Sequence, residues 1–491
     1  MRKERTQKIY MIVLNSILIT ALLCGVIGLM ISGESIIDAF FHTLMMFTLA
    51  YFWDPINILV NIARYLAAIF TFSAILTIVF SAFQILMDRF RGMKKNSTFI
   101  YGDSEIAKEY MESNKKAIHG IHGFVDADNY ILLDSEEKNL LFCMEHRGEL
   151  EGKHVFMKTE NLPGVLYRGE NIRSFSPEEQ AGRKLWDYYD LIDKAYDENG
   201  KPRKLTVSLI GWGKLGEQIL FYGLMANSFA DVTYHIFGDS HIFEKLHENH
   251  LEDLGVKAYE TDWYDHIDVI KQSDMIIIAE QENQIQLITN LFLVSAELRV
   301  VVCAAFRGDL ANKRILLQNR AGTIPEKNLT FYNWQKASRS LDALKKEERL
   351  LSANIDEEKL TQKKLRKKIQ NDWATLDTFK RYSYLNLLDL YQVYNKLQEL
   401  WGDLVTEDEL LRILHNRVLH YYWFHNWDYS PLPDPEHPEK YENETKRLTR
   451  RLRPLEELSE EEKDLERRIA YDVLDSIKEE EEKEKMNQLS Y

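Results

Sequence analysis

Long apolar stretches alternate with charged ones at the start of the chain, and two of them have the length of a membrane span. Met11 to Ile31 contains no charged side chain, and Tyr65 to Met87 interrupts its aliphatic and aromatic residues only with Gln84 and a few Ser and Thr. At about 1.5 Å per residue each covers roughly 30 Å, the thickness of the hydrocarbon layer. We therefore predict two transmembrane helices. A cleavable signal peptide is the alternative for the first segment, but the second would remain.

Basic residues flank this pair of segments on its outer sides. Cytoplasmic flanks of membrane helices are enriched in Lys and Arg, so both termini are predicted to face the cytoplasm, as in a multi-pass protein of the cell (inner) membrane. The residues concerned are Arg2, Lys3, Arg5 and Lys8 before the first span, and Arg89, Arg91, Lys94 and Lys95 after the second.

A third apolar segment, residues 39–53 (AFFHTLMMFTLAYFW), lies between the two spans and ends at Asp54 and Pro55. It is too short to cross a bilayer and too apolar for an ordinary exposed loop, so we predict a re-entrant segment. An interfacial helix that only anchors the protein is the alternative. Residues 1–95 then form a membrane domain.

A span, a half-helix and a second span is a layout that resembles two-span ion channels, although the potassium filter sequence TVGYG is absent. Acidic residues outnumber Arg64 in the outward stretch, which favours cations at a pore mouth. Two polar stripes follow helical spacing on nearly opposite faces, Asn57, Asn61 and Arg64 on one and Ser73, Thr77, Ser81 and Gln84 on the other. The candidate pore residues are Asp38, Thr48, Asp54, Asn61 and Arg64.

The strongest motif outside the membrane segments is GWGKLG, which follows a β-branched strand at residues 205–210 and opens a helix. In such a motif Gly211 permits the tight turn, Gly213 lets a pyrophosphate approach the backbone, and Gly216 allows close packing of helix on strand. The intervening Lys214 and Leu215 lie at the helix N-terminus, whose N–H groups would face the phosphate.

The next strand, residues 232–237, ends at Asp239, at the distance where a carboxylate meets the ribose hydroxyls. This favours NAD(H) or another adenine nucleotide as the ligand. Alternatively, Asp239 or Ser240 is a helix N-cap and the glycines serve the fold alone.

Further strands at residues 275–279 and 300–304, with a helical stretch between them, predict a doubly wound α/β domain over residues 205–335. Upstream, residues 98–101 followed by GDSEIAKEY give a second strand-turn-helix start that keeps only Gly102. We therefore predict a degenerate Rossmann-like domain over residues 96–196, joined to the other by a linker at residues 197–204.

Composition narrows the choice of partners. The chain has 491 residues, a formal charge of −15 and a pI near 5.5, which argues against a nucleic-acid partner. Its three cysteines, Cys24, Cys143 and Cys303, are far apart, so neither a disulfide framework nor a metal site is predicted.

The order of these parts over about residues 10–335 resembles the regulator-of-conductance (RCK, TrkA-N-like) channels. That resemblance implies a homotetramer in which a cytoplasmic ring converts ligand binding into tension on the inner pore helix. Here the tension would act at the end of the second span, through Arg89 to Lys95.

The C-terminal part begins with a charged helical connector at residues 338–371 and ends with a disordered tail at residues 479–491. Residues 372–478 resemble the prokaryotic ryanodine-receptor-type (RyR) domain, with Val418 and Asn426 as departures from the family pattern. The residues that carry this resemblance are Trp373, Arg381, Ser383, His415, Arg417, Trp427, Tyr429, Pro454, Leu458 and Arg467.

The aromatic run at residues 421–429 can stack on a base, with His415 and Arg417 placed to meet phosphate and Trp427 and Tyr429 to stack. The alternative is that these aromatic residues form a hydrophobic core.

Together these features predict a cation channel or channel-like effector in lipid, gated by a small nucleotide-like ligand. A non-conducting membrane-anchored sensor is the second hypothesis. An NAD-dependent oxidoreductase is a third, since Tyr332 and Lys336 have the spacing of a reductase pair. Their predicted place on a strand argues against it, because a four-residue gap aligns side chains only on a helix, so we predict no enzymatic activity.

Overall fold

The computed structural model describes residues 2–49, 57–114, 116–120, 123–159, 172–304, 317–319, 322–334, 378–438, 440–464 and 466–467. Predictions about Asp54, Lys336, Trp373, the connector 338–371 and the tail 479–491 lie outside these residues. The chain divides into two compact units, residues 1–99 with 116–128 and residues 100–115 with 129–491, which are described separately.

The first unit is built on three helices, α1 (Arg2–Ile31), α2 (Ile36–Phe47) and α3 (Ile58–Gly92). Two helical stretches, Ile12–Ile31 and Ile58–Gly92, are long and apolar enough to cross a membrane, as predicted. Asn57 caps α3 by accepting a bond from the Val60 N–H, so this helix begins seven residues before the predicted span. The predicted segment 39–53 corresponds in its first half to α2.

Small residues let these three helices pack closely. A Cβ on Gly25 would lie 2.5 Å from Thr43 Cγ2 of α2, and one on Gly28 would lie 2.9 Å from Val60 Cγ2 of α3. The buried cluster of this unit contains Ala21, Leu29, Ala39, Met46, Val60, Ala63 and Ala67. Close backbone approach through Gly and Ala is how helices associate where lipid offers no hydrophobic driving force.

A five-stranded sheet has the order β2-β1-β3-β4-β5, and its last three strands pair in parallel. The strands are β1 (Thr98–Tyr101), β2 (Ile118–His119), β3 (Asn129–Leu132), β4 (His154–Lys158) and β5 (Ile172–Phe175). Three helices belong to this part of the chain, α4 (Glu105–Ser113), α5 (Glu136–Glu145) and α6 (Pro177–Tyr188).

A second sheet has six strands in the order β13-β10-β9-β6-β7-β8, all parallel. They are β6 (Lys204–Ile210), β7 (Asp231–Phe237), β8 (Val256–Tyr259), β9 (Met275–Ile278), β10 (Val300–Ala304) and β13 (Leu329–Asn333). In chain order this is the doubly wound arrangement 3-2-1-4-5-6, which confirms the predicted Rossmann-like α/β class.

Four helices accompany this sheet, α7 (Lys214–Ala226), α8 (His241–Leu246), α9 (Ile267–Gln272) and α10 (Gln284–Val294). A short hairpin, β11 (Gln318–Asn319) and β12 (Gly322–Thr323), precedes β13. The predicted linker 197–204 forms a tight turn, in which the Asp197 N–H donates to the Lys201 carbonyl and Gly200 has a φ of +73°.

The described residues of the C-terminal region include α11 (Thr378–Trp401), α12 (Glu407–Phe424) and a small mixed sheet in the order β14-β16-β15. The three short strands are β14 (Asp428–Tyr429), β15 (Glu442–Asn443) and β16 (Leu448–Thr449).

This region shares one hydrophobic core with the six-stranded sheet. A single buried cluster contains Leu397 of α11, Leu414 of α12, Leu220 of α7 and Val207 of β6. The helices α11 and α12 both pack on α7. Among the described residues, the segment predicted to be RyR-like therefore shares its core with the Rossmann-like fold.

Candidate functional site

The glycine motif lies where the doubly wound sheet reverses its strand order, at the carboxyl ends of β6, β7 and β9. The Gly211 N–H donates to the Phe237 carbonyl at 2.8 Å, and the Ala279 N–H donates to the Ile210 carbonyl at 2.8 Å. These bonds hold the three strand ends together at the switch point, where open α/β sheets bind their ligands. We call this place the switch-point crevice.

Gly211 and Gly213 have different surroundings although both adopt a positive φ, +92° and +91°. A Cβ on Gly211 would lie 2.3 Å from the Glu280 backbone nitrogen, whereas one on Gly213 would have nothing within 4 Å. Gly211 is therefore required by the protein itself. The space beside Gly213 is where a ligand phosphate could approach the backbone.

The N-terminus of α7 offers backbone donors at this place. Gly213 is its N-cap, and no side chain caps the helix there. The side chain of Lys214 is exposed, while that of Leu215 is 8% exposed and packs in the core, so Leu215 can offer a ligand only its N–H. Gly216 has the expected packing role, since a Cβ there would lie 3.1 Å from the Gly211 carbonyl oxygen.

Asp239 stands exposed just after β7, as a residue that meets ribose hydroxyls would. It follows Gly238, whose φ is +152° and whose Cβ would lie 3.0 Å from the Trp212 nitrogen. Ser240 occupies the N-cap position of the adjacent short helix α8, but its hydroxyl makes no capping bond and donates instead to the Glu244 carboxylate at 2.7 Å. Asp239 is thus left available at the crevice.

Glu280 is a residue of the crevice that the sequence patterns missed. Its carboxylate accepts the backbone N–H groups of Gln281 at 2.9 Å and Glu282 at 3.1 Å. The Glu217 carboxyl in the first turn of α7 has its pKa raised by burial, against the opposing effect of Lys214. The positive charge that could meet a phosphate in the crevice is that of the exposed Lys214 and of the α7 dipole.

Binding of the predicted adenine dinucleotide stays a prediction, but the crevice has groups for two parts of it. Phosphate would meet the uncapped N–H groups after Gly213, and ribose hydroxyls would meet the Asp239 carboxylate.

In the five-stranded sheet, the turn that follows β1 at Gly102 has a protein carboxylate beside it. Gly102 has a φ of +119°, and its Cβ would lie 2.8 Å from the Asp134 nitrogen. The Asp134 carboxylate accepts the N–H groups of Asp103 at 3.4 Å and Ser135 at 2.8 Å. A protein carboxylate thus accepts the turn N–H that a phosphate would use, and the degenerate Rossmann-like domain stays a prediction.

The described candidate pore residues lie at the two ends of α2 and at the start of α3. Asp38 is exposed in the first turn of α2 and accepts the Ser35 hydroxyl at 2.7 Å, while the Thr48 hydroxyl donates to the Met45 carbonyl at 2.8 Å. Asn61 and Arg64 are half-buried on the first two turns of α3. Their pore role stays a prediction.

Two polar side chains of this unit tie helices together. The Asn57 amide donates to the Gly28 carbonyl at 2.6 Å and to the Ser32 hydroxyl at 2.8 Å, and so joins α1 to the start of α3. The Thr71 hydroxyl donates to the Phe47 carbonyl at 2.7 Å and so fixes the end of α2. No sequence pattern indicated either partner, because these bonds span 24 to 29 residues.

The residues predicted to bind a ligand in the RyR-like segment have mostly structural surroundings. His415 and Arg417 are 1% and 2% exposed, and the Arg417 guanidinium donates to the Ser383 carbonyl at 2.7 Å. Trp427 is stacked on Phe379 at a ring distance of 5.1 Å, and Tyr429 is exposed on β14. Tyr421, Tyr422 and Trp427 of the aromatic run are 1%, 6% and 4% exposed, which favours the alternative that the run is core, while the ligand role of the predicted residues stays a prediction.

Asn426 occupies the position where the RyR-type pattern has glycine. Its φ is +55°, in the left-handed region that glycine adopts freely and asparagine tolerates better than most residues. Asn426 can therefore form the backbone turn that leads from α12 into Trp427.

Both ring nitrogens of His415 lie beside oxygen atoms that can accept a hydrogen bond but cannot donate one. Its Nε2 lies 2.7 Å from the Arg453 carbonyl oxygen and its Nδ1 lies 3.1 Å from the Glu466 carboxylate. Burial alone would lower the pKa of His415, but the bond and charge of Glu466 outweigh it, and the pKa is raised above its usual value. The site therefore favours the imidazolium.

This arrangement predicts a pH-dependent stability. The pKa of His415 is higher in the folded state than its unfolded value of about 6.5. The bond of His415 to Glu466 therefore stabilises the fold fully below about pH 6.5, and this stabilisation is lost as pH rises through the folded-state pKa. We expect Glu466→Gln to lower the urea midpoint of the intact protein more at pH 6 than at pH 8.5. Glu461→Gln, an exposed glutamate nearby, should lower it equally little at both pH values. Parallel pH profiles for Glu466→Gln and the wild type would contradict this role of His415.

Comparison with known proteins gives only distant similarities. No protein family matches the chain, and no curated protein matches it in sequence. Among solved structures, the crystal structure of a GsuK point mutant is 14% identical and the GsuK channel 15%, each with a TM-score of 0.33 over 68% of this chain and 96% of theirs. The wall teichoic acid polymerase TagF is 12% identical, with a TM-score of 0.16 over 67% of this chain and 98% of its own. Similarities at this level carry no argument about function.

Proposed function

We propose that the protein is a cation channel or channel-like membrane effector, assembled as a homo-oligomer such as a tetramer and gated by a nucleotide-type ligand in the switch-point crevice. NAD(H) or another adenine nucleotide is the proposed ligand. Both termini face the cytoplasm of the cell membrane, and no chemical reaction is proposed.

The observation that carries the proposal is where α2 ends. The Phe47 carbonyl at its C-terminus is bonded to Thr71, which lies 13 residues into α3 and therefore roughly 20 Å along it. A 12-residue helix is too short to cross a bilayer, so α2 enters the apolar layer and stops there. Backbone that ends at membrane depth needs water or protein around it, as at the mouth of a pore.

Exposed apolar surface supports an oligomer in lipid. In the single chain α3 leaves Phe72 63%, Ile78 69% and Phe80 66% exposed, and α2 leaves Ile37 77% exposed. An apolar surface of this extent requires lipid or further copies of the chain to cover it. On α3 the Thr77 and Ser81 hydroxyls bond the carbonyls one turn earlier in their own helix, so they can face lipid without unpaired donors.

Gating from the cytoplasm is supported by the chain path and by the crevice. Only five residues separate the end of α3 at Gly92 from the start of β1 at Thr98. Ligand binding at Gly213 and Asp239 would favour the conformation of the cytoplasmic fold that binds the ligand more tightly. The change from one conformation to the other would then act on α3.

We expect purified protein in liposomes to conduct monovalent cations and NAD(H), ADP-ribose or a cyclic nucleotide to change that flux. Gly213→Ala should abolish the ligand effect, because its methyl group fills the space beside the α7 N-terminus while touching no protein atom within 4 Å. A fluorescence flux assay with each ligand measures the effect, and binding is measured in parallel by calorimetry.

The control is Gly123→Ala, another glycine of positive φ with nothing within 4 Å of its Cβ, which lies outside the crevice. It should keep both the flux and the ligand effect. Absence of flux from folded protein that binds the nucleotide would reject the channel and leave the membrane-anchored sensor.

A further inference from the structure

A second cavity lies in the C-terminal region, away from the crevice glycines. It has a volume of about 370 Å³ and is formed by the start of α11, the end of α12 and the turn between β15 and β16. Three aromatic rings line it, those of Phe379, Phe424 and Trp427. We call it the aromatic pocket.

The rings of the aromatic pocket are held in place by one another. Phe379 and Trp427 stack with centroids 5.1 Å apart and planes 23° apart. Phe424 lies 4.8 Å from Phe221 of α7. Rings fixed in this way lose little entropy when a planar heterocycle stacks on them, which is the usual way a protein holds a nucleobase.

Polar groups complete the wall on one side. Arg447 donates one N–H to the His425 carbonyl at 3.2 Å, which anchors a guanidinium with five donors in total. Arg447 and the carboxylate of Glu444 are both exposed at the pocket. A guanidinium suits a phosphate and a carboxylate suits ribose hydroxyls.

His425 also lines the pocket and carries one nitrogen that can accept a hydrogen bond. Its Nδ1 lies 2.7 Å from the Tyr421 carbonyl, which can only accept, so the proton is on Nδ1 and Nε2 carries the lone pair. Burial lowers the pKa of His425 to about 4, so the ring stays neutral at physiological pH. An amino group on a heterocycle could donate to such a nitrogen.

We propose that the aromatic pocket is a second ligand site, for a purine-type nucleoside monophosphate, with the base against the three rings, the ribose near Glu444 and the phosphate on Arg447. The volume is that of a small-molecule site. This inference deepens the proposed sensing function and rests on it for its biological meaning, but the residues differ from those of the crevice.

A line of ring contacts joins the two sites. Trp212, between the crevice glycines, lies 5.0 Å from Phe243 of α8, and Phe243 lies 5.9 Å from Phe424 of the pocket. His247 at the end of α8 lies 5.2 Å from Phe424. Occupancy of either site can therefore shift the packing of α8 between them, and such coupling is reciprocal.

The test uses AMP as the probe and calorimetry on the intact protein. Arg447→Gln should weaken AMP binding at least about tenfold, since it removes a charge-assisted bond to phosphate. Lys446→Gln removes the same charge from the neighbouring exposed residue, which does not line the pocket, and should leave the affinity unchanged. Phe424→Leu should also weaken binding by removing a stacking ring, and circular dichroism confirms that each variant is folded.

Gly213→Ala separates this proposal from the proposed function. AMP should still bind that variant, because the pocket does not include the crevice. Loss of AMP binding in Gly213→Ala with full binding in Arg447→Gln would place AMP in the crevice and overturn the pocket, while supporting the nucleotide-gated function. Equal affinity of Arg447→Gln and Lys446→Gln, or no AMP binding by the folded wild type, would also overturn it. Absence of cation flux would bear on the channel alone.

Discussion

Replacing Gly211 by alanine should destabilise the cytoplasmic fold by about 3–5 kcal/mol. The positive φ of +92° costs an L-residue about 1–2 kcal/mol. The larger part comes from the new methyl group, which would lie 2.3 Å from the Glu280 nitrogen and 2.7 Å from its Cα. Both are backbone atoms, so no side-chain rotation relieves the overlap and the β6 and β9 ends must separate.

Gly213→Ala is the matched comparison for this prediction. It has nearly the same φ, +91°, but no atom within 4 Å of its Cβ, so only the conformational cost of about 1–2 kcal/mol applies. Urea unfolding of both variants, followed by tryptophan fluorescence, gives the two free energies. Equal losses of stability would show that the approach of Glu280 to Gly211 is not what fixes this turn.

The difference between these two glycines shows what the sequence could predict at the crevice. The spacing in GWGKLG after a β-branched strand predicted the turn, the helix start and the doubly wound class. It could not predict Glu280, because the contact crosses 69 positions and the strand order that creates it depends on the whole sheet. Gln281 and Gln284, which bond the Cys303 carbonyl and brace the same loop, were missed for the same reason.

The C-terminal region shows a different limit. The pattern predicted a domain at residues 372–478, and it did not indicate that α11 and α12 share buried residues with the Rossmann-like fold. A signal for this was present in α7, whose sequence KLGEQILFYGLMA buries nine residues on several faces. A helix that is apolar nearly all round must be covered on more than one side, and one sheet covers only one. The identity of the covering helices could not be read from α7 itself.

In the first unit, length and hydropathy were sufficient to predict the two spans, but they were not sufficient to predict where α2 begins and ends. The predicted segment began at residue 39, but Ser35 caps the helix by accepting the Asp38 N–H, which moves its start to Ile36. The bond that fixes the end of α2 comes from the Thr71 hydroxyl, a single polar group in a long apolar run. Such a hydroxyl usually bonds within its own helix, so its partner cannot be inferred from spacing.

The second large effect is expected at the ion pair between α6 and α11. Arg183 donates to both carboxylate oxygens of Asp389, at 2.9 and 3.1 Å, and the two side chains are 4% and 13% exposed. Removing one partner of a buried pair leaves the other charge without compensation, which costs about 3–5 kcal/mol. We expect Arg183→Met and Asp389→Leu each to lower the urea midpoint strongly.

A matched control lies one residue away on the same helix. Lys184 pairs with Asp187 at 3.0 Å, but both belong to α6 and the pair spans only three residues. Lys184→Met should therefore cost less than about 1 kcal/mol. A comparable loss in Lys184→Met and Arg183→Met would mean that α6 needs its charges for solubility and not for attachment to α11.

The two single variants should differ, and the direction of the difference tests how the helices are joined. Asp389 also attracts the fully buried Arg417 of α12, whose pKa is lowered to about 10 by burial against that attraction. Asp389→Leu thus leaves two buried guanidinium groups without the carboxylate that attracts both, whereas Arg183→Met leaves a carboxylate that still attracts Arg417. Asp389→Leu should be the more harmful, and Arg183→Met combined with Asp389→Leu should lose less than the sum of the two, because the uncompensated Arg183 charge is gone. If the losses were additive, Arg183 and Asp389 would not be coupled, and their ion pair would not be what attaches α6 to α11.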